Sequence, residues 1–409
     1  MSVYRCRLLI TMGGEPIRNA AFVVEQNRFT QVGPASAVLA GNHGPVIDLG
    51  EMAVMPGLIN AHCHLDYTLM RGAILPSRSF SHWVGRINAL KRVFSDDEYL
   101  HATKLGLAEL RRNGTTTILD IAAIPQILPR LAPSSVRLYT FLELIDVRPR
   151  PWEDRYAFGS WCVFEPVTNR LGGFGLSPHS PYTASAPLYK LARECGQRFG
   201  LPVTTHVAES DEEFSMFFER RGPLFDLLKK IGRPMDDCGG ITPLKHLLRE
   251  PLIGPETILV HANRLDHEDL EWLSRPEWAQ LTIVHCPKSH RFLHHPRFPL
   301  ETLLERGINL ALGTDSLASN DSLNLFAEMR AVRRNYPWLR AEDALRMVTV
   351  NPARALGAGH ELGRIAPGHL ADAIGLPCPA EMLDSPYDLV LENRSSVPWM
   401  LVDGCTYSS

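Results

Sequence analysis

Short apolar runs alternate along most of the chain with longer stretches in which apolar residues recur at helical spacing. The aliphatic run 54–59 predicts a buried strand, and the stretch that Ser95 or Asp96 caps predicts a helix that ends before Gly114. About eight such strand and helix units follow one another, which predicts an α/β fold, a closed parallel (β/α)₈ TIM barrel, with an open doubly wound sheet as the alternative. The other predicted strands are 115–119, 136–142, 173–176, 203–206, 257–261, 281–285 and 309–312, and the predicted helices are 96–113, 187–199, 211–220, 267–273, 300–306 and 323–335.

The two ends of the chain have a different pattern, in which short alternating runs are separated by turn residues. Because these runs flank the barrel pattern on both sides, we expect both termini to join one small β-sandwich. Residues 1–52 and 365–409 form this predicted unit, and residues 53–364 form the catalytic barrel. The predicted terminal strands are 4–12, 20–25, 28–32, 45–49, 371–376, 389–391 and 399–403, and a helix is predicted around 351–355.

Composition narrows the class of partner. The 409 residues carry a net charge of -3, with 45% hydrophobic and 21% charged residues, which argues against a nucleic-acid or membrane-surface protein. The N-terminus does not resemble a signal peptide, and the chain has no apolar run of the ~20 residues that a membrane helix needs. The 8 cysteines are scattered, as is usual for reduced thiols. We therefore expect a cytoplasmic protein that acts on small molecules.

Histidines and one aspartate stand where predicted strands end. His62 and His64 are two residues apart, so a strand would direct both side chains to the same face. His206, His261 and His285 end later strands, and Asp315 follows the last one. Catalytic residues of a parallel barrel come from these strand ends, and three imidazoles with one carboxylate leave an open position on a divalent metal. Such an ion acidifies water and supplies a nucleophile near neutral pH.

Three residues are candidates for proton transfer and charge stabilisation. Glu209 stands three residues after His206, where a carboxylate can reach the metal and pass a proton to the substrate. Asp315 can act as a weak metal ligand and as the base that accepts the proton of the attacking water. His261 would steady the charge that develops on the attacked atom.

These residues carry a resemblance to the amidohydrolase superfamily, in its cytosine deaminase, chlorohydrolase and S-adenosylhomocysteine deaminase branch. The resemblance implies that His62, His64, His206 and Asp315 hold one Zn²⁺ or Fe²⁺, and that Glu209 shuttles protons with His261 and Asp315. The fourth strand ends in Ser-Pro-His without the lysine that would bridge two metals, so a single ion is expected. The matching motifs are Pro-Gly-Leu-Ile-Asn-Ala-His-Cys-His at 56–64, His-Val-Ala-Glu at 206–209, Val-His-Ala-Asn at 260–263, His-Cys-Pro-Lys-Ser at 285–289 and Leu-Gly-Thr-Asp-Ser-Leu-Ala-Ser-Asn at 312–320.

The reaction that the resemblance implies is deamination of an amino-substituted heterocycle, most simply an adenine nucleoside. His179 would hydrogen-bond this substrate and Trp83 would stack on it. The segment around Trp83 is also similar to aminodeoxyfutalosine deaminases, whose substrate has a carboxylate tail that suits a cation. The predicted cations are Arg86, Lys91, Arg92 and Arg291 in loops, and Ser289 is a further predicted substrate ligand.

Two departures from the adenosine-type pattern leave the substrate open: His290 follows the His-Cys-Pro-Lys-Ser motif where asparagine is usual, and the segment after Trp83 has no glutamate to bind ribose hydroxyls. One alternative keeps the site but removes chloride or an alkylamine, or opens a cyclic amide. Another is a catalytically silent barrel with a binding role. A homodimer is a further expectation, since barrels with a sandwich often pair.

Overall fold

The computed structural model describes residues 1–41, 44–148 and 171–408 of the chain. Strands and helices alternate through its central part, and strands dominate at both ends. The strands are β1 (Ser2–Leu9), β2 (Ile17–Glu25), β3 (Arg28–Pro34), β4 (Val46–Asp48), β5 (Met52–Pro56), β6 (Leu58–His64), β7 (Thr115–Ala122), β8 (Arg137–Leu144), β9 (Gly172–Pro178), β10 (Thr204–Val207), β11 (Ile258–His261), β12 (Thr282–His285), β13 (Asn309–Leu312), β14 (Asp315–Ser316), β15 (Ala373–Pro377), β16 (Trp399–Val402) and β17 (Cys405–Ser408). The α-helices are α1 (Ala35–Ala40), α2 (Phe80–Lys91), α3 (Asp96–Arg112), α4 (Ala186–Phe199), α5 (Asp211–Glu219), α6 (Pro223–Lys230), α7 (Pro243–Arg249), α8 (His267–Leu273), α9 (Pro287–Phe292), α10 (Leu300–Glu305), α11 (Leu325–Asn335), α12 (Ala341–Arg346), α13 (Val350–Ala355) and α14 (Pro386–Glu392).

The predicted barrel is confirmed, and its closure excludes the open sheet. Strands β6 to β9 pair in parallel and in sequence order, and so do β10 to β13. The two sets meet where Leu176 bridges Val203, and again where Asp315 of β14 pairs with Cys63 of β6. Because these strands all run in the same direction, their carboxyl ends lie at one rim of the barrel, where barrel enzymes have their active sites.

Close packing fills the barrel and shapes its rim. Gly313, just after β13, passes the backbone of His62 so closely that a Cβ atom would lie 2.7 Å from the carbonyl oxygen of His62. A side chain at this position would therefore displace the strand that carries the first histidine. The interior itself is packed with the apolar side chains of Ile59, Ala61, Leu119, Ile121, Phe141, Ile258, Val260, Val284 and Ala311.

The predicted strand 54–59 is two strands in two sheets, because the chain changes sheet at Gly57. Residues up to Pro56 belong to β5 in the terminal sheet, and residues from Leu58 belong to β6 in the barrel. A Cβ atom at Gly57 would lie 2.1 Å from the hydroxyl oxygen of Thr116, so only glycine lets the chain pass β7 here. The strand that carries His62 and His64 is thereby fixed to the terminal sheet at its base.

Both ends of the chain contribute to one eight-stranded sheet beside the barrel. Strands β1 and β17 are separated by three others in this sheet, yet the hydroxyls of Tyr4 and Thr406 lie 3.2 Å apart. The sheet therefore curls over itself, and the ring of Tyr4 packs 5.1 Å from Phe22 and 5.7 Å from Trp399 between centroids. This curled sheet corresponds to the sandwich that the sequence pattern predicts from both termini.

The predicted strand 389–391 is wrong, because these residues lie in helix α14. Pro386 occupies the first turn of the helix, where its missing N–H costs no hydrogen bond, and Asp388 suits the positive end of the helix dipole. Three consecutive apolar residues are too few to distinguish a strand from a helix by periodicity. Pro386 and Asp388 indicate the helix better than the apolar run indicates a strand.

No helix within the described ranges is both long enough and apolar enough to cross a bilayer. The cysteines of the described residues are free thiols, and Cys162 lies outside the described residues.

Candidate active site

Three imidazoles converge at the carboxyl rim of the barrel. His62 and His64 point to one face because they are two residues apart on β6, and His206 comes from β10. One ring nitrogen from each lies within 4.8 Å of those of the other two, and the three side chains are buried. Three nitrogen donors from two strands thus face one small volume.

Asp315 brings a carboxylate to the same volume. Its Oδ1 atom lies 3.6 Å from Nε2 of His62 and 3.8 Å from Nε2 of His64. The hydroxyls of Ser289 and Ser319 donate to its Oδ2 atom over 2.6 and 2.9 Å. Its backbone has φ +55°, a conformation that costs free energy in a non-glycine residue and that this network holds in place. Burial alone would raise the pKa of Asp315, but the imidazoles, His62 first, keep it well below its usual range.

The protonation of these groups fits a divalent metal. Both ring nitrogens of His62 and the Nδ1 atom of His64 are buried without a hydrogen-bond partner among the described residues. Burial lowers the pKa of His206 to about 3 and that of His64 well below its usual range, so both rings are neutral at pH 7. The Nδ1 atom of His206 donates to the carbonyl oxygen of His179 over 2.8 Å, which leaves a lone pair on Nε2. Neutral imidazoles with a carboxylate are ligands that zinc and related ions accept.

Glu209 and His261 stand beside this cluster. The Nε2 atom of His261 lies 3.5 Å from Oε1 of Glu209, and both side chains are buried. Burial raises the pKa of Glu209 well above its usual range, and the negative charges of Asp315 and Glu213 add to the shift. The backbone of Glu209 is held on both sides, since its N–H donates to Glu213 over 2.7 Å and its carbonyl accepts from Asn263 over 3.0 Å. A carboxyl group with a raised pKa is thus fixed in position.

A cavity of about 400 Å³ opens onto these residues. Trp83 and His179, the predicted wall and hydrogen-bonding residues, both line it. The Nδ1 atom of His179 contacts the hydroxyls of Ser180 and Thr183, at 3.0 and 2.5 Å. The outer part of the cavity is aliphatic, with side chains from helices α2 and α6 and from the segment after β8: Val84, Ile87, Ile145, Val147, Leu224, Leu227, Leu228 and Ile231.

Arg86, Arg291 and Ser289, also predicted as substrate ligands, do not line this cavity, whereas the predicted cations Lys91 and Arg92 do. Arg86 is exposed on helix α2, and Arg291 lines a second cavity beside His294 and Arg297. Ser289 is turned toward Asp315. The assignment of these cations to loops is wrong, because residues 86 and 91 lie within α2 and Arg291 within α9. The start of α2 is capped from a distant part of the sequence, since Glu212 accepts hydrogen bonds from the first N–H groups of the helix.

Sequence reasoning missed a buried acid in the cavity wall. Glu143 lies near the carboxyl end of β8, close to Lys91 and His179. Its signal was present in the sequence, because Glu143 directly follows the predicted strand 136–142. The rule that selected His206 and His261, a polar residue at a barrel strand end, selects Glu143 as well. Ser319 had no comparable signal, since only the folded loop brings its hydroxyl to Asp315.

Comparison with known proteins agrees with this geometry. Residues 53–385 match the model of the amidohydrolase family. A 5-methylthioadenosine/S-adenosylhomocysteine deaminase of Syntrophobacter fumaroxidans is 30% identical over 380 residues, which cover 90% of this chain and 82% of that protein.

Two solved structures share the fold. An adenosine deaminase of Xanthomonas campestris with bound zinc has a TM-score of 0.82 at 23% identity, covering 99% of this chain and 92% of its own. An aminofutalosine deaminase of Helicobacter pylori, in complex with methylthio-coformycin, has a TM-score of 0.88 at 19% identity and full coverage of both chains. The family match spans most of the chain and includes the histidines, Glu209 and Asp315 of this site. The protein therefore belongs to the amidohydrolase family.

Proposed function

We propose that the protein is a metal-dependent aminohydrolase that deaminates an adenine-nucleoside-type substrate. One observation carries the proposal: Glu209, a buried carboxyl with a raised pKa, shares a cavity with the imidazoles of His64 and His206. Replacement of an amino group by oxygen needs a proton donor and an activated water. Glu209 supplies the proton, and His64 and His206 can help to hold the ion that activates the water. The name of the relative from Syntrophobacter fumaroxidans supports an adenine nucleoside as the substrate.

His62, His64, His206 and Asp315 would hold the ion, for which we propose Zn²⁺, with Fe²⁺ as the alternative. When bound, a divalent ion lowers the pKa of water toward about 7 and so provides the nucleophile. The chain contributes the remaining steps. The hydroxyls of Ser289 and Ser319 orient Asp315, whose ionised carboxylate accepts the proton of the attacking water.

Glu209 moves the second proton. In its protonated form it donates to the ring nitrogen beside the amino-bearing carbon, which makes that carbon more electrophilic. The oxygen of water then bonds to this carbon, and the carbon–nitrogen bond breaks as the amino group takes the proton that Asp315 accepted and leaves as ammonia. The remaining proton of the attacking oxygen passes to Glu209, which is thereby restored to its protonated form. Water and the amino compound are thereby converted to a carbonyl compound and ammonia. His261, 3.5 Å from Glu209, donates to the oxygen that becomes the carbonyl, and His179 hydrogen-bonds the heterocycle from the cavity wall.

The test is product formation by the zinc-loaded protein, measured as released ammonia for the amino compounds, as released chloride for a chlorotriazine and by chromatography for a cyclic amide. Adenosine, 5′-methylthioadenosine, S-adenosylhomocysteine and aminodeoxyfutalosine form the first group of compounds, and guanine, cytosine, a chlorotriazine and a cyclic amide form the second. We expect turnover in the first group, and a kcat about 10²- to 10⁴-fold lower with the Glu209→Gln variant. Turnover confined to the chlorotriazine or the cyclic amide would overturn the proposal in favour of another bond, and no turnover at full metal occupancy would favour a silent barrel.

We propose that the working protein is a cytoplasmic homodimer. Closed two-fold dimers are the commonest assemblies of such proteins, and the net charge of -3 argues against a nucleic-acid or membrane partner. Light scattering after size-exclusion chromatography measures the mass directly. A mass of one chain across micromolar concentrations would contradict the dimer.

A further inference from the structure

Glu143 is a buried acid that faces the active-site cavity without a close partner. Its side chain is 6% exposed, yet it is one of the residues that line the cavity. Among the described residues, its cationic neighbours are Nζ of Lys91 at 3.9 Å and Nε2 of His179 at 4.0 Å. Both distances exceed those of a hydrogen bond.

Asp372 and Glu213 are two buried acids that are paired directly. Asp372 accepts from Nε of Arg137 over 2.6 Å, and Glu213 accepts from two backbone N–H groups. Burying a carboxylate costs several kcal/mol unless hydrogen bonds or charges offset the loss of water. Glu143 therefore has acceptor capacity that the described residues leave unused, and the cavity is the place where donors can reach it.

Lys91 partly offsets the effect of burial on this acid. Its ammonium group lies 5.3 Å from the ring centroid of Tyr67 as well as 3.9 Å from Glu143, so its position is fixed by two contacts. Burial raises the pKa of Glu143, and the positive charge of Lys91 opposes that shift. The oxygen atoms of a carboxyl group in a cavity wall can accept hydrogen bonds from neutral donors such as hydroxyl groups.

The position of Glu143 indicates which part of a substrate it meets. His179 lies between Glu143 and the metal-binding imidazoles, and its ring centroid is 4.9 Å from that of His206. Glu143 thus faces a group about one aromatic ring away from the reacting carbon. In a purine nucleoside, the part at this distance that carries hydrogen-bond donors is the sugar.

We infer that Glu143 is a specificity-determining residue that accepts hydrogen bonds from the vicinal hydroxyls of the sugar. The inference rests on the proposed function and deepens it, because it restricts the substrate to nucleosides that retain these hydroxyls. A site built around a buried acceptor rejects an analogue that lacks the donor, since the acceptor is then left unpaired. The free base and dideoxynucleosides are accordingly poor substrates.

The experiment compares adenosine with 2′,3′-dideoxyadenosine in the zinc-loaded wild type, in Glu143→Gln and in Glu271→Gln, an exposed acid of helix α8 that serves as the matched control. We expect kcat/KM of the wild type and of the control to favour adenosine by roughly 100-fold. In Glu143→Gln this preference should shrink to within a few-fold, chiefly through loss of adenosine turnover. An equal loss for both compounds would overturn the inference while leaving the proposed function intact.

A binding measurement on the wild type does not depend on the folding of any variant. Isothermal titration calorimetry with the products inosine and 2′,3′-dideoxyinosine should give a Kd at least about 10-fold lower for inosine. Equal affinities would contradict the role of Glu143. If the wild type releases no ammonia from any adenine nucleoside, the proposed function fails first and the inference falls with it, which is a different result from active enzyme without hydroxyl preference.

Discussion

The Nδ1 atom of His206 donates a 2.8 Å hydrogen bond to the backbone carbonyl oxygen of His179. This bond joins the end of β10 to the segment that follows β9, and it fixes the tautomer of His206 with its lone pair on Nε2. The residue proposed to hold the ion and the residue proposed to hold the substrate are therefore positioned by one contact. A shift of either segment would disturb both tasks.

Replacing His206 by alanine should remove the ion and the activity together. The substitution deletes one of three imidazoles that converge within 4.8 Å, so we expect clearly less than one zinc per chain and a fall in kcat of more than about 100-fold. Elemental analysis after zinc loading and dialysis gives the occupancy. Exposed His101 of helix α3 is the matched control, and His101→Ala should keep the full zinc content. Full occupancy in His206→Ala would contradict the predicted ligand set.

Glu209→Gln should separate chemistry from metal binding. The glutamine keeps the shape of the side chain but removes the proton that Glu209 holds, and general acid–base catalysis contributes about 10²- to 10⁴-fold in rate. We expect kcat to fall by that range while zinc content stays at the wild-type level. Steady-state kinetics and elemental analysis on the same sample decide the outcome. Parallel loss of zinc would instead mean that Glu209 serves the metal site.

Ser289 and Ser319 should act as a pair on Asp315 rather than on the substrate. Each donates to Oδ2 of Asp315, so either single alanine variant retains one donor and should lower kcat by only about 3- to 10-fold with KM unchanged. The double variant leaves this oxygen without either hydroxyl donor and should lose more than the product of the single effects. A higher KM with unchanged kcat in Ser289→Ala would support the substrate contact that the sequence predicts for Ser289.

The aliphatic outer cavity should favour an uncharged substituent on the sugar. Leu227 and Ile231 of the segment around α6 line the cavity together with Ile87 of α2, and aliphatic side chains do not replace the water that a phosphate loses. The cations of the lining are Lys91, which lies 3.9 Å from Glu143, and Arg92. We expect 5′-methylthioadenosine to be deaminated at least about 10-fold more efficiently than adenosine 5′-phosphate. Leu227→Asp should reduce turnover of the methylthio compound and spare adenosine. Equal efficiency with adenosine 5′-phosphate would show that the cavity accommodates the charge of the phosphate.

Asp269 should make the folded protein less stable as pH rises. Its side chain accepts from Thr242 and from the N–H of Asp266, but burial dominates and raises its pKa from the ordinary 3.8 to about 6. Between these values the folded state holds a proton that the unfolded state has released, so the free energy of unfolding falls with pH, by up to about 3 kcal/mol for this group.

Urea unfolding of the wild type and of Asp269→Asn at pH 4 and pH 7 tests this sign. Asparagine cannot ionise, and the substituted residue is remote from the active site. The advantage of the wild type over Asp269→Asn should therefore be larger at pH 4 than at pH 7. A difference that is constant or grows with pH would show that Asp269 stays ionised in the folded state.

The barrel and its metal-binding cluster could be predicted because their signals are local. Each barrel strand has its own apolar run, and each of His206, His261 and Asp315 stands at or just after the end of such a run. Parallel strands in a closed barrel bring those ends together, so chain order was enough to predict convergence. The motif resemblance rests on the same strand ends and covers the same residues.

The contacts that refine the site depend on pairs far apart in sequence. Glu212 caps the start of helix α2 although the two are more than 100 residues apart in sequence. The segment that was predicted to be a loop is therefore helical, and Arg86 is exposed on it. The bend at Gly57, which divides one apolar run between two sheets, depends on the side chain of Thr116. The periodicity of a short stretch of sequence cannot reveal a contact partner, such as Glu212 or Thr116, that lies far away along the chain.

The sequence by itself determined the fold class and the positions of the histidines, Asp315 and Glu209 at the strand ends. Backbone periodicity and strand direction constrain where those residues must lie. Only the tertiary structure decided which side chains face the cavity: Glu143 with Lys91 and the aliphatic wall line it, whereas Arg86 and Arg291 do not. The physical reason is that a cavity is formed by segments that meet after folding, so its lining depends on packing distances that no single stretch of the chain encodes.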